Sequence, residues 1–310
     1  RHHSDPMRKR RTDIIIPPAL DPGDRVAIIC PAGRARIADS EAAASALAAL
    51  GLCPELSPMV YGNDGSCSVD DRLADFIRVW TDPGIRAVIC SRGGYGSVHL
   101  LESLDRMPLR ENAKWLVGFS DICALHALMN HHGIASIHGP MAKHICADNG
   151  HNPHIKRLIS NLYGMIHNYH FAPHPFNRHG DAKAPLAGGN LSVLSSLIGT
   201  RFDTLRPGTI LLIEDIAEPV YKVQRMLWQL RLSGVLPRLA GLLVGAFTDW
   251  RPDVNHESMQ SMIRDMVADY SFPTAFDVPI GHGVDATPLI LGIPTAMSVT
   301  DSGVYLLQYP

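Results

Sequence analysis

The first half of the chain alternates short apolar runs with longer amphipathic segments. The apolar runs RVAIIC, IRAVIC and KWLVGF are each followed by a segment of helical periodicity, such as SEAAASALAALG after the first. Short apolar strands separated by helices of this length are typical of βα units, whose parallel sheet is covered on both faces. The sequence therefore predicts an α/β fold with a doubly wound, largely parallel N-terminal sheet.

A second alternating block follows a less regular stretch that is rich in His, Pro and Asn. TILLIED, VYKVQRMLWQLRLSG and LAGLLVGAFTD again have strand or helix character, and 310 residues are enough for two hydrophobic cores. We therefore predict a second, smaller C-terminal α/β domain. The predicted divisions are a tag remnant and N-terminal extension at 1–23, an N-terminal domain at 24–165, a linker at 166–185 and a C-terminal domain at 186–310.

Composition excludes several classes of partner. The chain has 46% hydrophobic and 19% charged residues and a formal net charge of -2, so nucleic acid and anionic membranes are not expected to bind it. A small neutral or zwitterionic ligand is favoured. No run of 18 apolar residues predicts a membrane span.

The cysteines and the first residues bear on the cellular compartment. The six cysteines occur singly, without a CxxC pair, which predicts reduced, mostly buried thiols in a cytoplasmic protein. RHHSDPM resembles an expression-tag remnant, so the natural start is expected near Met7.

Three loops with polar or glycine residues come directly after predicted strands. They are PAG at 31–33, SRGGYG at 91–96 and GFSD at 118–121. In doubly wound sheets, ligands bind beyond the carboxyl ends of the strands. We therefore expect these three loops to converge on one site.

Ser120 lies in the last of these loops, where an apolar strand passes into a helix. A serine at such a junction is either a helix cap or a nucleophile, and the turn would expose its hydroxyl next to helix N–H groups. The match to the G-x-S-x-G motif is incomplete, because Ile122 occupies the position of the second glycine. A nucleophile would also need a base, an acid that orients the base, and an oxyanion site.

The glycine loop offers candidate N–H donors. Gly93 and Gly94 follow a predicted strand and allow the backbone to approach a ligand closely. The alternative is a phosphate-binding loop, but neither the P-loop pattern nor the G-x-G-x-x-G spacing occurs here.

The second half of the chain supplies an acid and a base. Glu214 ends the apolar run TILLIE and is the better candidate to orient a histidine, whereas Asp215 or Glu218 is a candidate cap of the next helix. His282 stands between two glycines in VPIGHGVD; it is either structural or the general base. Together Ser120, Glu214 and His282 contain the parts of an acyl-transfer site.

Several segments of the chain, taken together, resemble the LD-carboxypeptidase (muramoyltetrapeptide carboxypeptidase) family. They occur in the family order over nearly the whole chain from about Asp24. The segments are SRGGYGSVHLLESLD, LVGFSDICALHALMNHHGIASIHGPM, PLAGGNLSVLSSLIGT, LLIEDIAEPVYKVQRML, LAGLLVGAFTD and VPIGHGVDATPLILGIPTAM.

The resemblance implies a fold, a reaction and a set of site residues. The N-terminal domain is expected to resemble class I glutamine amidotransferases, with the active site between the two domains of a homodimer that needs no metal or organic cofactor. The implied reaction releases terminal D-alanine from murein tetrapeptides during peptidoglycan recycling. The implied roles are nucleophile, acid and base for Ser120, Glu214 and His282, and oxyanion hole for the N–H groups of Asp121 and of Gly94 or Gly93.

Two further residues are candidate substrate contacts. Arg92 would bind the terminal carboxylate of the substrate or form a structural ion pair, and Asn190 would cap a helix or contact the substrate. The chain also departs from the family pattern, with CPAG where a serine is frequent and Asp285 where an asparagine is frequent. These departures bear on the exact substrate.

Two alternatives stay open from the sequence. Hydrolases of the same family act on aminoacyl-nucleotide amides such as processed microcin C. A metal site is suggested by crowded histidines between His126 and His179, but an HExxH motif and a cysteine pair are missing. We therefore predict no metal.

Overall fold

The computed structural model describes residues 13–62, 67–146, 151–283 and 286–310. Strands and helices alternate through the N-terminal half. Its strands are β1 (Arg25–Ile29), β2 (Cys53–Leu56), β3 (Ile85–Cys90), β4 (Trp115–Gly118) and β5 (Ser136–His138). Its helices are α1 (Ile37–Ala49), α2 (Val69–Thr81), α3 (Leu101–Asp105), α4 (Cys123–His131), α5 (Ala142–Ile145) and α6 (Pro153–Leu162).

The C-terminal half contains more strands than helices. Its strands are β6 (His167–Phe171), β7 (Gly180–Asn190), β8 (Ile210–Ile216), β9 (Gly241–Thr248), β10 (Thr274–Ala275), β11 (Leu289–Leu291), β12 (Pro294–Thr300) and β13 (Gly303–Gln308). Its helices are α7 (Leu191–Ser195), α8 (Val220–Leu232) and α9 (Met259–Met266).

Local sequence explains where several helices begin. The Ser68 hydroxyl accepts a hydrogen bond from the Asp71 N–H at 3.1 Å and so caps α2, whose first turn also carries two aspartates that favour the positive end of the helix dipole. Asn152 caps α6 in the same way, and Pro153 occupies its first helical position.

The first sheet has the strand order β11-β5-β4-β3-β1-β2. Its strands are parallel except for β11, which runs antiparallel to β5. Buried side chains of α1, α5 and α6 cover one face, and those of α2, α3 and α4 cover the other. The predicted doubly wound, largely parallel N-terminal sheet is therefore confirmed.

The order of the first sheet brings two of the predicted loops together. The strand order reverses between β1 and β3, so the loops that follow these neighbouring strands lie side by side. The Gly33 N–H donates a hydrogen bond to the Gly93 carbonyl at 2.7 Å. The functional loops thus meet at the topological switch point of the sheet.

The second sheet has the order β10-β9-β8-β7-β12-β13-β6. Strands β7 to β10 are parallel, whereas β12, β13 and β6 are added antiparallel. Helices α7, α8 and α9 share one hydrophobic cluster with β8 and β9 and so pack on one face of this sheet. One hydrophobic cluster joins Leu125 and Leu128 of α4 to Leu191 and Leu194 of α7, so the two halves of the chain share a buried core.

The segment 166–185 differs from the predicted linker. It contains β6 and the start of β7. Strand β6 is an edge strand whose side chains alternate between buried and exposed positions. The exposed positions tolerate polar residues, which hid the strand period in the sequence. Strand β11, from the predicted C-terminal domain, also joins the first sheet, so the domain boundaries remain predictions.

The longest helices in the described chain have 13 residues, and no helix there is both long and apolar enough to cross a membrane. All six cysteines carry free thiols. The prediction that most are buried holds for only half of them. Cys30, Cys90 and Cys123 are buried, Cys67 and Cys146 are partly buried, and Cys53 is exposed.

Candidate active site

Ser120 lies on a strained turn between β4 and α4. Its φ angle is +65°, a left-handed conformation that costs a non-glycine residue about 1–3 kcal/mol. A short 3-10 turn at Ser120–Ile122 then leads into α4. The cap positions of this turn and of α4 are Phe119 and Ile122, and the Ser120 hydroxyl contacts His282 instead, so Ser120 is not a helix cap. The strain projects the hydroxyl from the carboxyl edge of the sheet.

The Ser120 hydroxyl contacts a histidine from the other half of the chain. Its Oγ lies 2.9 Å from His282 Nε2, and His282 Nδ1 lies 2.8 Å from Glu214 Oε2. A neutral imidazole with its proton on Nδ1 donates to the Glu214 carboxylate and accepts the serine proton at Nε2. The three residues form a continuous chain of hydrogen bonds.

Glu214 is fully buried at the end of β8, and two glycines make room for it. A Cβ added to Gly281 would lie 2.8 Å from Glu214 Oε2, and one added to Gly245 would lie 3.3 Å from its Cβ. Gly281 also has a φ of +120°. The glycine before His282 is therefore required for the close approach of the acid to the base.

The ring of Phe119 holds His282 from the side. The two ring centroids are 5.2 Å apart in an edge-to-face arrangement, and Phe119 is 2% exposed. Sequence reasoning missed this contact, although Phe119 directly precedes the predicted nucleophile.

The glycine loop after β3 lies against Ser120. A Cβ added to Gly93 would lie 3.0 Å from Ser120 Cβ, 3.1 Å from its Oγ and 3.6 Å from the Asp121 nitrogen. Gly94, with φ of +112°, faces Gly33 instead. Ser97 fastens the end of this loop to the turn, because its N–H donates to Asp121 Oδ2 at 2.9 Å and its hydroxyl donates to the Asp121 carbonyl at 2.7 Å.

Asn190 is both a helix cap and a partner of the buried acid. Its Oδ1 accepts the Val193 N–H at 3.0 Å, which caps α7, while its Nδ2 lies 3.3 Å from Glu214 Oε1 and 3.3 Å from Asp215 Oδ1. The side chain is 3% exposed. Of the two predicted roles, the structure shows the cap, and it adds a hydrogen bond that orients Glu214.

Asp215 does not cap the helix that follows it. Its Oδ2 accepts the Ser192 N–H at 2.9 Å, near the start of α7, and its Oδ1 accepts the Ile216 N–H at 2.9 Å. Helix α8 begins after Pro219 without a side-chain cap, so the predicted cap by Asp215 or Glu218 is wrong. Burial raises the pKa of the Asp215 carboxyl to about 6, although the hydrogen bonds from Ile216 and Ser192 act in the opposite direction.

Arg92 is exposed on the glycine loop. Among the described residues it forms no salt bridge, so the predicted structural ion pair is not observed there. The methylene Cδ of Arg92 lies beside Gly33. The guanidinium is therefore available to a ligand. Asp285, one of the two departures from the family pattern, lies outside the described residues.

The crowded histidines have several different environments in the structure. His126 is buried between Ser136 Oγ and the Gly118 carbonyl, and burial lowers its pKa to about 4. His131 and His132 lie, partly buried, beside Asp105. No group of three or more His, Cys, Asp or Glu side chains within the described ranges could hold a metal ion.

A serine, a histidine and a buried carboxylate in hydrogen-bond contact, with glycine-loop and helix-start amides beside the serine, define the class of serine hydrolases. Comparison with known proteins identifies the branch of this class. Residues 26–139 match the LD-carboxypeptidase N-terminal domain, and residues 183–297 match the LD-carboxypeptidase C-terminal domain. The chain belongs to the LD-carboxypeptidase family.

Individual proteins support the same assignment. A probable murein peptide carboxypeptidase of Bacillus subtilis is 32% identical over 294 residues, which cover 92% of each chain. The crystal structure of a muramoyltetrapeptide carboxypeptidase from Oxalobacter formigenes has a TM-score of 0.84 at 26% identity and covers 92% of this chain and 99% of that one. The microcin C7 self-immunity protein MccF has a TM-score of 0.81 at 19% identity, covers 95% of this chain and 99% of its own, and shares the fold.

Proposed function

We propose that this protein hydrolyses the amide bond between an L-centre and the terminal D-alanine of murein tetrapeptides, a reaction of peptidoglycan recycling. The observation that carries the proposal is the hydrogen-bonded chain from Ser120 through His282 to Glu214, with distances of 2.9 and 2.8 Å. The tetrapeptide substrate is supported by the names of the murein peptide relative and of the muramoyltetrapeptide structure.

In the proposed mechanism, Ser120 Oγ attacks the scissile carbonyl while His282 Nε2 takes its proton. The buried Glu214 carboxylate stabilises the imidazolium that forms. His282 then gives the proton to the leaving amine of D-alanine, which leaves an acyl-enzyme on Ser120. Water, activated by the same histidine, hydrolyses this ester and restores the serine.

The oxyanion would be held by backbone N–H groups on both sides of Ser120. We assign the Asp121 N–H and one from the glycine loop, Gly94 or Gly93, to this role. Support comes from the closeness of the Gly93 Cα face to both Ser120 Oγ and the Asp121 nitrogen. Backbone donors held by β3, β4 and the Ser97 contacts would need no reorganisation during the reaction.

Recognition of a terminal D-amino acid needs a cation for its carboxylate, and Arg92 is the candidate. It is exposed on the loop that borders the nucleophile and lacks a carboxylate partner among the described residues. Asn190 is a poorer candidate, since the hydrogen-bonding atoms of its side chain are engaged within the protein.

The experiment that tests the function compares two substrates. Purified protein is incubated with a murein tetrapeptide, and free D-alanine is measured; a parallel reaction contains an aminoacyl sulfamoyl adenosine. Release of D-alanine at a much higher kcat/KM than cleavage of the nucleotide supports the proposal. The opposite preference would assign the chain to the microcin C immunity type, and absence of both activities would reject both assignments.

We further propose that the protein is a cytoplasmic homodimer that binds neither nucleic acid nor membrane. The cytoplasmic location is supported by six free cysteines, half of them buried thiols. The dimer is supported by family resemblance and by exposed apolar side chains on one side of α8, namely Tyr221, Trp228 and Leu232. Light scattering after size-exclusion chromatography tests the dimer, and a monomer at micromolar concentration would reject it.

A further inference from the structure

His144 lies at the same edge of the first sheet as the nucleophile. It belongs to α5, which follows β5 and is fastened to the glycine loop because the Lys143 N–H donates to the Ser91 carbonyl at 3.3 Å. The His144 ring packs against Phe119 with centroids 5.1 Å apart, and His282 packs against the same ring at 5.2 Å. The two imidazoles thus flank one phenyl ring beside Ser120.

A backbone hydrogen bond determines the tautomer of His144. The Met141 N–H donates to His144 Nδ1 at 3.2 Å, as in a capping box. Nδ1 therefore carries no proton, and the neutral ring bears its proton on Nε2. Burial lowers the pKa of His144 to about 4, and the nearby Lys143 and His282 act in the same direction, so the ring is neutral near pH 7.

The Nε2–H group of His144 has no acceptor within the described residues. Two other histidines of this region have partners at this nitrogen: His126 Nε2 contacts the Gly118 carbonyl at 2.7 Å, and His132 Nε2 contacts Asp105 at 2.8 Å. The Nε2 of His138 also lacks a partner, but unlike His144 the His138 side chain is fully buried. His144 is only partly buried, so its donor can be reached by a ligand. A donor with a defined tautomer and no protein partner suits a ligand oxygen.

We infer that His144 Nε2–H is a substrate-binding donor for a carbonyl oxygen of the peptide, an inference that rests on the proposed peptide hydrolysis. A neutral donor matches a neutral amide carbonyl, whereas the exposed cation Arg92 matches the terminal carboxylate. Arg92 stands on the glycine loop and His144 on α5, so together the two groups would align the peptide across the nucleophile. His144 takes no part in proton transfer, because His282 is the base.

Three variants test this role. His144→Phe keeps a ring on Phe119 but removes the donor, whereas His144→Gln can both accept from the Met141 N–H and donate to substrate. His170→Phe is the matched control, because His170 stacks on Tyr305 at 4.7 Å and its Nε2 contacts the Ser302 carbonyl at the far edge of the second sheet. The measurements are KM and kcat for D-alanine release, together with the melting temperature.

We expect His144→Phe to raise KM about three- to ten-fold with kcat nearly unchanged, the factor typical of one lost neutral hydrogen bond. His144→Gln should stay within about two-fold of the parent KM, and His170→Phe should not change it. The same KM shift should appear as weaker binding of the tetrapeptide to a Ser120→Ala background, measured by calorimetry without turnover.

Other outcomes overturn the inference. A folded His144→Phe protein with the parental KM would reject the inferred contact between His144 and the substrate, and the proposed function would still stand. Equal KM increases in His144→Phe and His144→Gln, accompanied by lower melting temperatures, would show a structural role. If His144→Phe does not fold, His144→Leu replaces it under the same criteria. A parent enzyme that releases no D-alanine would reject the proposed function and this inference with it.

Discussion

The Ser120 hydroxyl lies 2.9 Å from His282 Nε2, although the two residues are 162 positions apart in the chain. Ser120 follows β4 of the first sheet, and His282 follows β10 of the second. The contact therefore forms only where the two halves of the chain pack together. The proposed hydrolysis depends on this contact.

Replacing the nucleophile should abolish turnover without unfolding the protein. Ser120→Ala removes the attacking oxygen, so kcat should fall by on the order of 10³-fold or more. The melting temperature should stay near that of the parent, because the substitution leaves no fully buried polar group without a partner. The control is Ser196→Ala, whose exposed hydroxyl bonds only to the Val193 carbonyl. Near-normal D-alanine release by folded Ser120→Ala would reject the assignment.

Replacing the orienting acid should change both rate and pH dependence. Glu214→Gln loses the charge that stabilises the imidazolium and no longer determines the tautomer of His282, so much of the turnover should be lost. The parent kcat/KM should rise with pH through a single ionisation, and the residual rate of the variant should rise at lower pH than in the parent. An unchanged pH profile together with full activity would exclude Glu214 from the mechanism.

Asp215 should influence stability more than a surface cap would. Asp215→Asn places an amide group where the carboxylate accepts buried N–H groups, so it should cost about 1–3 kcal/mol of unfolding free energy. Because the pKa of Asp215 is raised to about 6, the native state keeps this proton to higher pH than the unfolded state does. The stabilisation of the native state by this proton is complete below about pH 4 and is lost as pH rises through about 6.

Urea denaturation between pH 4 and 8 measures this effect. The parent should lose stability over that window relative to Asp215→Asn, which has no such proton, and the difference should level off above about pH 7. A difference that is independent of pH would show that Asp215 titrates normally in the folded protein. Loss of activity in Asp215→Asn with full activity in Glu214→Gln would mean that the orienting carboxylate had been misassigned.

The glycine loop should tolerate no side chain at the nucleophile. A Cβ at Gly93 would lie 3.1 Å from Ser120 Oγ, so Gly93→Ala should lower kcat by about ten- to a hundred-fold through displacement of the hydroxyl or the loop. Gly199→Ala is the contrast, because its Cβ meets no atom within 4 Å although its φ is +87°. Gly199→Ala should lose about 1 kcal/mol of unfolding free energy and keep the activity of the parent. Equal activity of the two variants would argue against an oxyanion role for this loop.

Removal of metal ions should leave the enzyme active. The proposed mechanism uses a serine, a histidine and backbone N–H groups, and no metal-binding cluster occurs in the described part of the chain. Dialysis against a chelator should therefore not change kcat for D-alanine release. Activity that is lost on dialysis and restored by zinc would instead favour a metal site among the histidines.

Much of the first sheet could be predicted from the sequence. Apolar runs such as those of β1, β3 and β4, each followed by a helical period, indicate parallel strands because both faces of such strands are buried. The same pattern places the polar loops at one edge of the sheet. Ser120, Glu214 and His282 could be selected because each follows an apolar run, a signal that is local in the chain.

The contacts between distant segments could not be predicted in this way. Strand β6 pairs with β13, and β11 returns to the edge of the first sheet, because strand pairing depends on partners far away in the chain. The contact of Asn190 with Glu214 and that of Asp215 with the start of α7 have the same origin, because the packing of α7 against β8 decides which groups these carboxylates meet. Sequence alone determined the elements and the residues at their ends, whereas tertiary packing decided which of those residues hydrogen-bond to one another.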